Sequence, residues 1–412
     1  MRWRIALLVS AGIAISYLDR QTLPVAVKAI AHDIPLSNEQ FSFLQSAFLL
    51  AYAFMYAGGG KLADILGTRR GFFVIMLFWS LACASHSLAL TFWMLVASRF
   101  LLGLGEGGGF PAATRAVAEW FPVEERATAM GIINAGTAIG AVVAPPLIAG
   151  ILLLANWRWI FLVAGVMGFA WAIWWKLYYR VPDAEEKVAI SVSQKSNDAK
   201  IHWLELLQIR ETWALVLAKF LSDAAWYFYL FWLPKYLYDA RGFDIKAVGK
   251  FAWIPYAAAG LGCLLGGGFS SYLVRKGAAL GAARKVALGA SAAVMPCILL
   301  VPHVRVSWAL ALFSVAYFGQ QSWSTLVMVL PTDLFPREVV GSVAGLVGFG
   351  GAMGGIAFGE LVGYLLDHGA GYGPVFAMAG SFHVSAFIII LIAIPVVGPI
   401  LSRPSLRYEG VI

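Results

Sequence analysis

The chain has 412 residues, of which 60% are apolar and only 13% charged, and its mean hydropathy is +0.78. A soluble protein of this length carries about twice that charge, so the composition excludes a water-soluble globular chain and calls for lipid around the surplus apolar surface. The net charge of +8 does not point to nucleic acid, because the basic residues lie at alternate ends of apolar runs; Cys83, Cys263 and Cys297 show neither metal-ligand spacing nor a disulfide framework.

Apolar runs of about 20 residues cross the hydrocarbon layer of a bilayer. Twelve are predicted, over 4–31, 40–62, 71–91, 93–118, 127–153, 157–180, 212–240, 247–274, 283–302, 306–331, 338–367 and 372–401. The first follows Met1, Arg2, Trp3 and Arg4 directly and lacks a small-residue cleavage site, so it reads as a retained span and not a signal peptide. Most connections are short. Residues 181–211 are polar and charged, and they divide the chain into halves over 1–180 and 212–412 joined by a linker. Lys and Arg collect on that linker, at both ends of the chain and at every second connection. This bias predicts an inner-membrane protein with both termini in the cytoplasm.

The halves echo each other. Glu119, Trp120, Phe121 and Pro122 open one stretch, and Asp333, Leu334, Phe335 and Pro336 open another 214 residues later. At the same offset Gly131, Gly136 and Gly140 match Gly345, Gly350 and Gly354. Repeats of this kind around a midplane site are how many secondary transporters are built.

Ionisable groups at membrane depth are costly and therefore mark function. Asp19 and Arg20 fall in the first span, Arg99 and Glu106 in the fourth. Arg99 and Glu106, seven residues apart, face one side of a helix about 10 Å apart, and Gly103 between them is expected to leave room for water or substrate. A carboxyl can load and release a proton, whereas Arg stays charged and grips a carboxylate with a planar fork. Asp19 and Glu106, with Arg99 beside them, are thus the candidates for proton coupling, and Arg20 for anion binding. The competing reading is a pair of buried ion pairs that merely hold helices together.

In the second half, Lys219 and Asp223 share a helix face. They either neutralise each other or serve as a gate or second substrate contact, with Trp226 and Tyr227 following closely. The tenth span carries Gln320, Gln321, Ser322, Trp323, Ser324 and Thr325, donors and acceptors suited to sugar hydroxyls, with an indole suited to a sugar ring; helix–helix hydrogen bonding is the alternative. His383 is a structural histidine or a proton relay, His86 sits at a loop edge, and the role of Glu360 stays open.

Between spans two and three, Gly60, Leu62, Asp64, Gly67, Arg69 and Arg70 spell G-x-L-x-D-x-x-G-x-R-R. This is similar to the signature loop of the major facilitator superfamily. Tyr17-Leu18-Asp19-Arg20, Arg99 with Glu106, Glu119 to Pro122 with Glu125 and Arg126, Asn134 to Gly140 with Pro145 and Pro146, and Phe251 to Pro255 with Gly262 to Gly266 narrow the resemblance. They resemble the anion:cation symporter family and, within it, hexuronate and aldonate carriers. The resemblance implies that the acids at Asp19 and Glu106 are proton sites and that Arg20 and Tyr52 contact substrate. Asp64 with Arg69 and Arg70 reads as a cytoplasmic latch, a charged network that stabilises one conformation and must break in the other; a purely topological role for the arginines is the alternative. Thr137 stands where some aldonate carriers have glutamine.

The expectation is an all-α membrane protein of about twelve helices in two pseudo-symmetric six-helix halves, working by alternating access. It would carry a small organic anion, a hexuronate or related sugar acid, inward with protons. No metal and no cofactor is expected, ATP included, since no G-x-x-x-x-G-K-[ST] loop occurs; the family expectation is a monomer. The rivals are a proton-coupled exporter of drugs or other organic anions, which for apolar drugs would need no arginine such as Arg20, and a membrane enzyme or sensor, for which no nucleophile–base set or sizeable soluble domain is visible.

Overall fold

The computed structural model describes residues 1–183 and 205–398, with the side chains of all of these except 56–64, 123, 124, 127, 337 and 338. Among the described residues every regular element is a helix. In chain order they are α1 (Arg2–Asp33), α2 (Asn38–Ser85), α3 (Phe92–Gly107), α4 (Gly109–Trp120), α5 (Val123–Leu154) and α6 (Arg158–Tyr178). The second half follows with α7 (Arg210–Asp239), α8 (Ile245–Phe251), α9 (Trp253–Arg275), α10 (Leu280–Val294), α11 (Val306–Leu334), α12 (Arg337–Asp367) and α13 (Tyr372–Ala393).

These elements make the twelve expected passes. Helix α2 holds two passes, broken at Gly67, whose φ of 73° and ψ of 158° only glycine adopts without strain. The signature loop therefore needs its second glycine to turn the chain. Gly108 separates α3 from α4 within the fourth pass, and Ala252 separates α8 from α9 within the eighth. Among the described residues, eight helical stretches are long and apolar enough to cross a membrane on those criteria alone. Helices α1 and α11 are not among them, and both carry candidate site residues: the polar groups that mark the site also lower the hydropathy of the helices that hold it.

Local chemistry sets the helix starts. Ser37 and Gln40 form a capping box at α2, with both bonds at 3.0 Å. Thr91 caps α3 and Asp244 caps α8 through the amide three residues on. Large apolar side chains such as Leu7, Leu81, Trp93, Leu154, Leu177, Leu264 and Ile392 face outward. That is the distribution of a chain whose solvent is lipid.

Contacts divide the described chain into two compact units. The first comprises residues 1–183, 230–257 and 362–367; the second comprises 205–229, 258–361 and 368–398. The sequence repeat is physical in each. In the first unit a Cβ on Gly136 or Gly140 would collide with the backbone carbonyl of Ser10 or Ala14, so α5 lies backbone-to-backbone on α1. In the second, Gly350 and Gly354 lie in the same way on the backbone of Val216 and Phe220, so α12 lies on α7. The remaining matched pair, Gly131 and Gly345, meets open space in both. These contacts fix a register in which Ser16 corresponds to Ser222 and Arg20 to Trp226.

The acids of the two Phe-Pro motifs also play matching parts. Glu119 accepts from Arg115 Nε at 3.2 Å, from Tyr179 at 2.6 Å and from Thr68. Asp333 accepts from Arg284 Nε at 2.8 Å, and the same guanidinium reaches Ser270 at 3.0 Å.

Candidate functional site

In the first unit, four helical passes bring the intramembrane charges together. Arg20 Nε donates to Glu106 Oε2 at 2.8 Å, and Ser16 Oγ donates to the same oxygen at 2.6 Å. Ser16 and Arg20 are one turn apart on α1, so a single helix face presents both donors to α3. The ion pair is sealed, with side chains 3% and 0% exposed. The Arg20 guanidinium lies over Tyr17 and Tyr52 at 4.6 Å from each ring centroid and over Phe48 at 5.5 Å. Tyr52 stacks on Phe48 at 5.9 Å. The arginine thus sits in a box of three aromatic faces, held by cation–π attraction and one carboxylate.

Asp19 points elsewhere. Its Oδ2 accepts from the Trp79 indole at 2.6 Å, and the residue is fully buried. Arg99 Nη2 donates to Gln45 Oε1 at 2.9 Å, and its guanidinium carbon lies 5.4 Å from the Phe48 ring centre. Asp19, Arg99 and Glu106 lie within one another's electrostatic reach.

Five polar atoms of this cluster have no hydrogen-bond partner: Asp19 Oδ1, Glu106 Oε1, Arg99 Nε and Nη1, and Gln45 Nε2. An unsatisfied buried group costs about 1–3 kcal/mol, more if charged.

The expected room at Gly103 is absent. A Cβ there would run into the backbone carbonyl of Phe48, and one on Gly105 would meet the Trp79 backbone at 2.7 Å. These glycines bring α2 and α3 into backbone contact, the small-residue packing of membrane helices. Cys83, His86, Ser98 and Ser85 continue the polar track. His86 is fully buried at the end of α2, stacked on Phe161 at 4.6 Å, with Nδ1 3.0 Å from the Ala82 carbonyl.

The signature loop is part of the same unit. Arg69 Nη2 donates to the Lys176 carbonyl at 2.8 Å, and the Trp175 indole donates to the Arg69 carbonyl at 3.0 Å, tying the loop to α6. Arg70 is exposed. Gly60 and Asp64 lie outside the residues whose side chains are described.

The second unit holds a separate polar cluster. Lys219 Nζ bonds Asp223 Oδ1 at 2.9 Å and Ser324 Oγ at 2.8 Å. Both side chains are under 10% exposed. A Cβ on Gly351 would meet the Asp223 carboxylate, so α12 is glycine where that carboxylate needs space. Gln320 Oε1 is hydrogen-bonded to His383 Nε2, while Gln320 Nε2, His383 Nδ1 and the Trp323 indole N–H are buried without partners. Trp323 packs edge-on to His383 at 5.5 Å and inside the core with Leu326 and Leu330. Gln321 is half-buried. Trp226 meets Tyr317 edge-on at 5.8 Å, and Tyr227 is half-buried beside it in sequence.

Ser16, Gln45, Phe48 and Trp79 complete the first cluster without having been singled out in the sequence. Two signals were available: Ser16 lies four residues before Arg20, and Gln45 lies seven before Tyr52, each on a common helix face. Nothing local distinguishes Trp79 from the other tryptophans.

The model of the Major Facilitator Superfamily matches residues 9–359. The hexuronate transporter of Escherichia coli (strain K12) is 31% identical over 407 residues, covering 95% of this chain and 93% of that protein. The D-galactonate transporter of Escherichia coli O6:H1 is 29% identical, covering 88% of each. Among solved structures, a bacterial homolog of the human lysosomal transporter Spinster, in an inward-facing and occupied conformation, superposes with a TM-score of 0.71 at 18% identity over 95% of this chain and 94% of that one. The paired glycine registers, the Gly67 turn and this coverage lead to one conclusion: the chain is a multi-pass membrane transporter belonging to the Major Facilitator Superfamily.

Proposed function

We propose that this transporter imports a small organic anion, a hexuronate or related sugar acid, together with protons. The observation that carries the proposal is the fully buried Arg20–Glu106 pair inside the aromatic box of Tyr17, Phe48 and Tyr52. Arg20 is the natural partner for a substrate carboxylate, yet Glu106 holds it. A proton on Glu106 removes the competing charge and frees the guanidinium fork for the anion. Proton and anion then favour the same species, and that is the condition for symport, since a ligand shifts an equilibrium only through differential affinity. Asp19 and Arg99, each with unsatisfied polar atoms, are assigned to the same proton-coupling network.

In the second unit, Gln320, Gln321, Trp323, Trp226 and Tyr227 are assigned to the hydroxyl-bearing part of the substrate. Trp226 occupies the register position of Arg20, which supports a division into a charge-reading half and a ring-reading half. Lys219 and Asp223 are assigned to gating, as are Gly60, Asp64, Gly67, Arg69 and Arg70. The names of the two relatives support the substrate class. The protein would sit in the inner membrane as a monomer with cytoplasmic termini.

The test is binding of galacturonate, glucuronate and galactonate to the purified protein in nanodiscs. Arg20→Lys keeps the charge but loses the planar fork, and is expected to weaken binding at least about tenfold. Unchanged affinity in Arg20→Lys and Arg20→Ala would remove Arg20 from the substrate site.

A further inference from the structure

Two helices that meet in the first unit each carry an internal proline. Pro234 lies inside α7 and Pro24 inside α1. A proline within a helix removes the amide that would bond the carbonyl four residues earlier. Pro234 therefore leaves the Leu230 carbonyl without its helical partner.

The Leu230 carbonyl is not left bare. Gln21 Nε2 donates to it at 3.0 Å. The Tyr256 hydroxyl lies 3.2 Å from the same oxygen and 3.0 Å from Gln21 Oε1, so it can donate to either. All three groups are fully buried. A second rung follows one turn on, where the Tyr238 hydroxyl donates to the Val25 carbonyl at 2.8 Å. Gln21 is the residue after Arg20, so the helix that carries this arginine is bonded to the open carbonyl of α7 by the arginine's own neighbour.

We propose that Gln21 is a positioning residue of transport: with Tyr256 it clasps the carbonyl that Pro234 leaves open, and this clasp makes and breaks in each cycle, linking the position of Arg20 to the stretch of α7 around Pro234. A bond to an orphan carbonyl suits this use. It can be released without unwinding a helix, and release leaves a cost that draws it closed again. The inference rests on the reading of Arg20 as the substrate arginine.

The variants are Gln21→Leu, Tyr256→Phe and Pro234→Ala in nanodiscs and proteoliposomes. Hydrogen–deuterium exchange is followed over 21–30 and 230–239, and proton-driven galacturonate uptake is measured beside it. Losing one buried hydrogen bond changes an equilibrium by about tenfold. Gln21→Leu and Tyr256→Phe should raise exchange in both segments by that factor and lower kcat of uptake about tenfold with KM changed less than about twofold. Pro234→Ala supplies a competing N–H, so exchange should fall over 230–239, rise over 21–30, and kcat should fall. This variant carries the test even if Gln21→Leu does not fold.

Three results would overturn the proposal: wild-type exchange in α1 for Pro234→Ala, wild-type kcat in all variants, or recovery of uptake when Pro234→Ala is added to Gln21→Leu. The last would mean that Gln21 only satisfies a carbonyl. The exchange arm needs no substrate. If exchange responds as stated while the wild type takes up no sugar acid, the substrate reading fails alone.

Discussion

Replacing Glu106 by Gln isolates the event on which the proposed proton coupling depends. Gln keeps an oxygen that can accept from Arg20 and Ser16, now bonded at 2.8 and 2.6 Å, so the packing of the buried box is retained. What is lost is the charge. A hydrogen bond to a charged group contributes about 1.5–3 kcal/mol, against about 0.5–1.5 for a neutral one. The difference, about 1–2 kcal/mol, is the competition that an incoming carboxylate no longer faces. Glu106→Gln should therefore bind the sugar acid about 5–30-fold more tightly than wild type at pH 8, where Glu106 in the wild type holds Arg20. At acid pH the two proteins should converge, because protonation does to Glu106 what the substitution does permanently. The assay is a binding isotherm from tryptophan fluorescence between pH 5.5 and 8.5, with counterflow exchange and proton-driven uptake measured in liposomes. Exchange should persist while driven uptake is lost. Full pH dependence of binding in the variant, or driven uptake at the wild-type rate, would refute the reasoning.

Other consequences follow from particular contacts. Removing either Lys219 or Asp223 strands a buried charge and should cost about 3–5 kcal/mol, read as a fall in Tm, whereas removing both should restore much of it; a double variant no better than the worse single one would show that the pair does more than neutralise itself. Gly140→Val drives a side chain into the Ala14 carbonyl and should abolish folded protein on size exclusion, whereas Gly131→Ala, facing open space, should leave yield and Tm unchanged. Asp33, bonded by the Trp157 indole at 2.9 Å and by Arg158 at 2.8 Å, has its carboxyl lowered to about 2 by those two donors. Its contribution is present above the ordinary carboxylate range near pH 4 and is lost as pH falls through about 2. Asp33→Asn should accordingly flatten the acid limb of a Tm-against-pH profile between pH 4 and 2 and leave the neutral plateau unshaped by pH.

The architecture was legible because membrane helices announce themselves by length and apolarity, and because the repeat had a physical cause. Glycines at 136, 140, 350 and 354 recur at one offset since each pair must let a backbone pass. The charged residues of the first cluster were legible for the opposite reason: nothing cheap accounts for Asp19, Arg20, Arg99 and Glu106 in lipid. Their pairing was not. Spacing on one helix suggested Arg99 beside Glu106, but the bond is made across helices by Arg20, and Arg99 goes to Gln45. Sequence spacing carries information along a helix and almost none between helices. The same limit hid Trp79, whose only distinction is that its N–H meets Asp19 from another element. The clasp at Leu230 was equally hidden, since the orphan carbonyl can be inferred from Pro234 but its partner cannot.

The most direct test of the central claim is uptake of labelled galacturonate, glucuronate and galactonate into proteoliposomes under an imposed inward proton gradient. Accumulation of at least one, collapsed by a protonophore and absent in Arg20→Ala, is the predicted result. Uptake of none, or uptake indifferent to the gradient, would contradict proton-coupled import of a sugar acid.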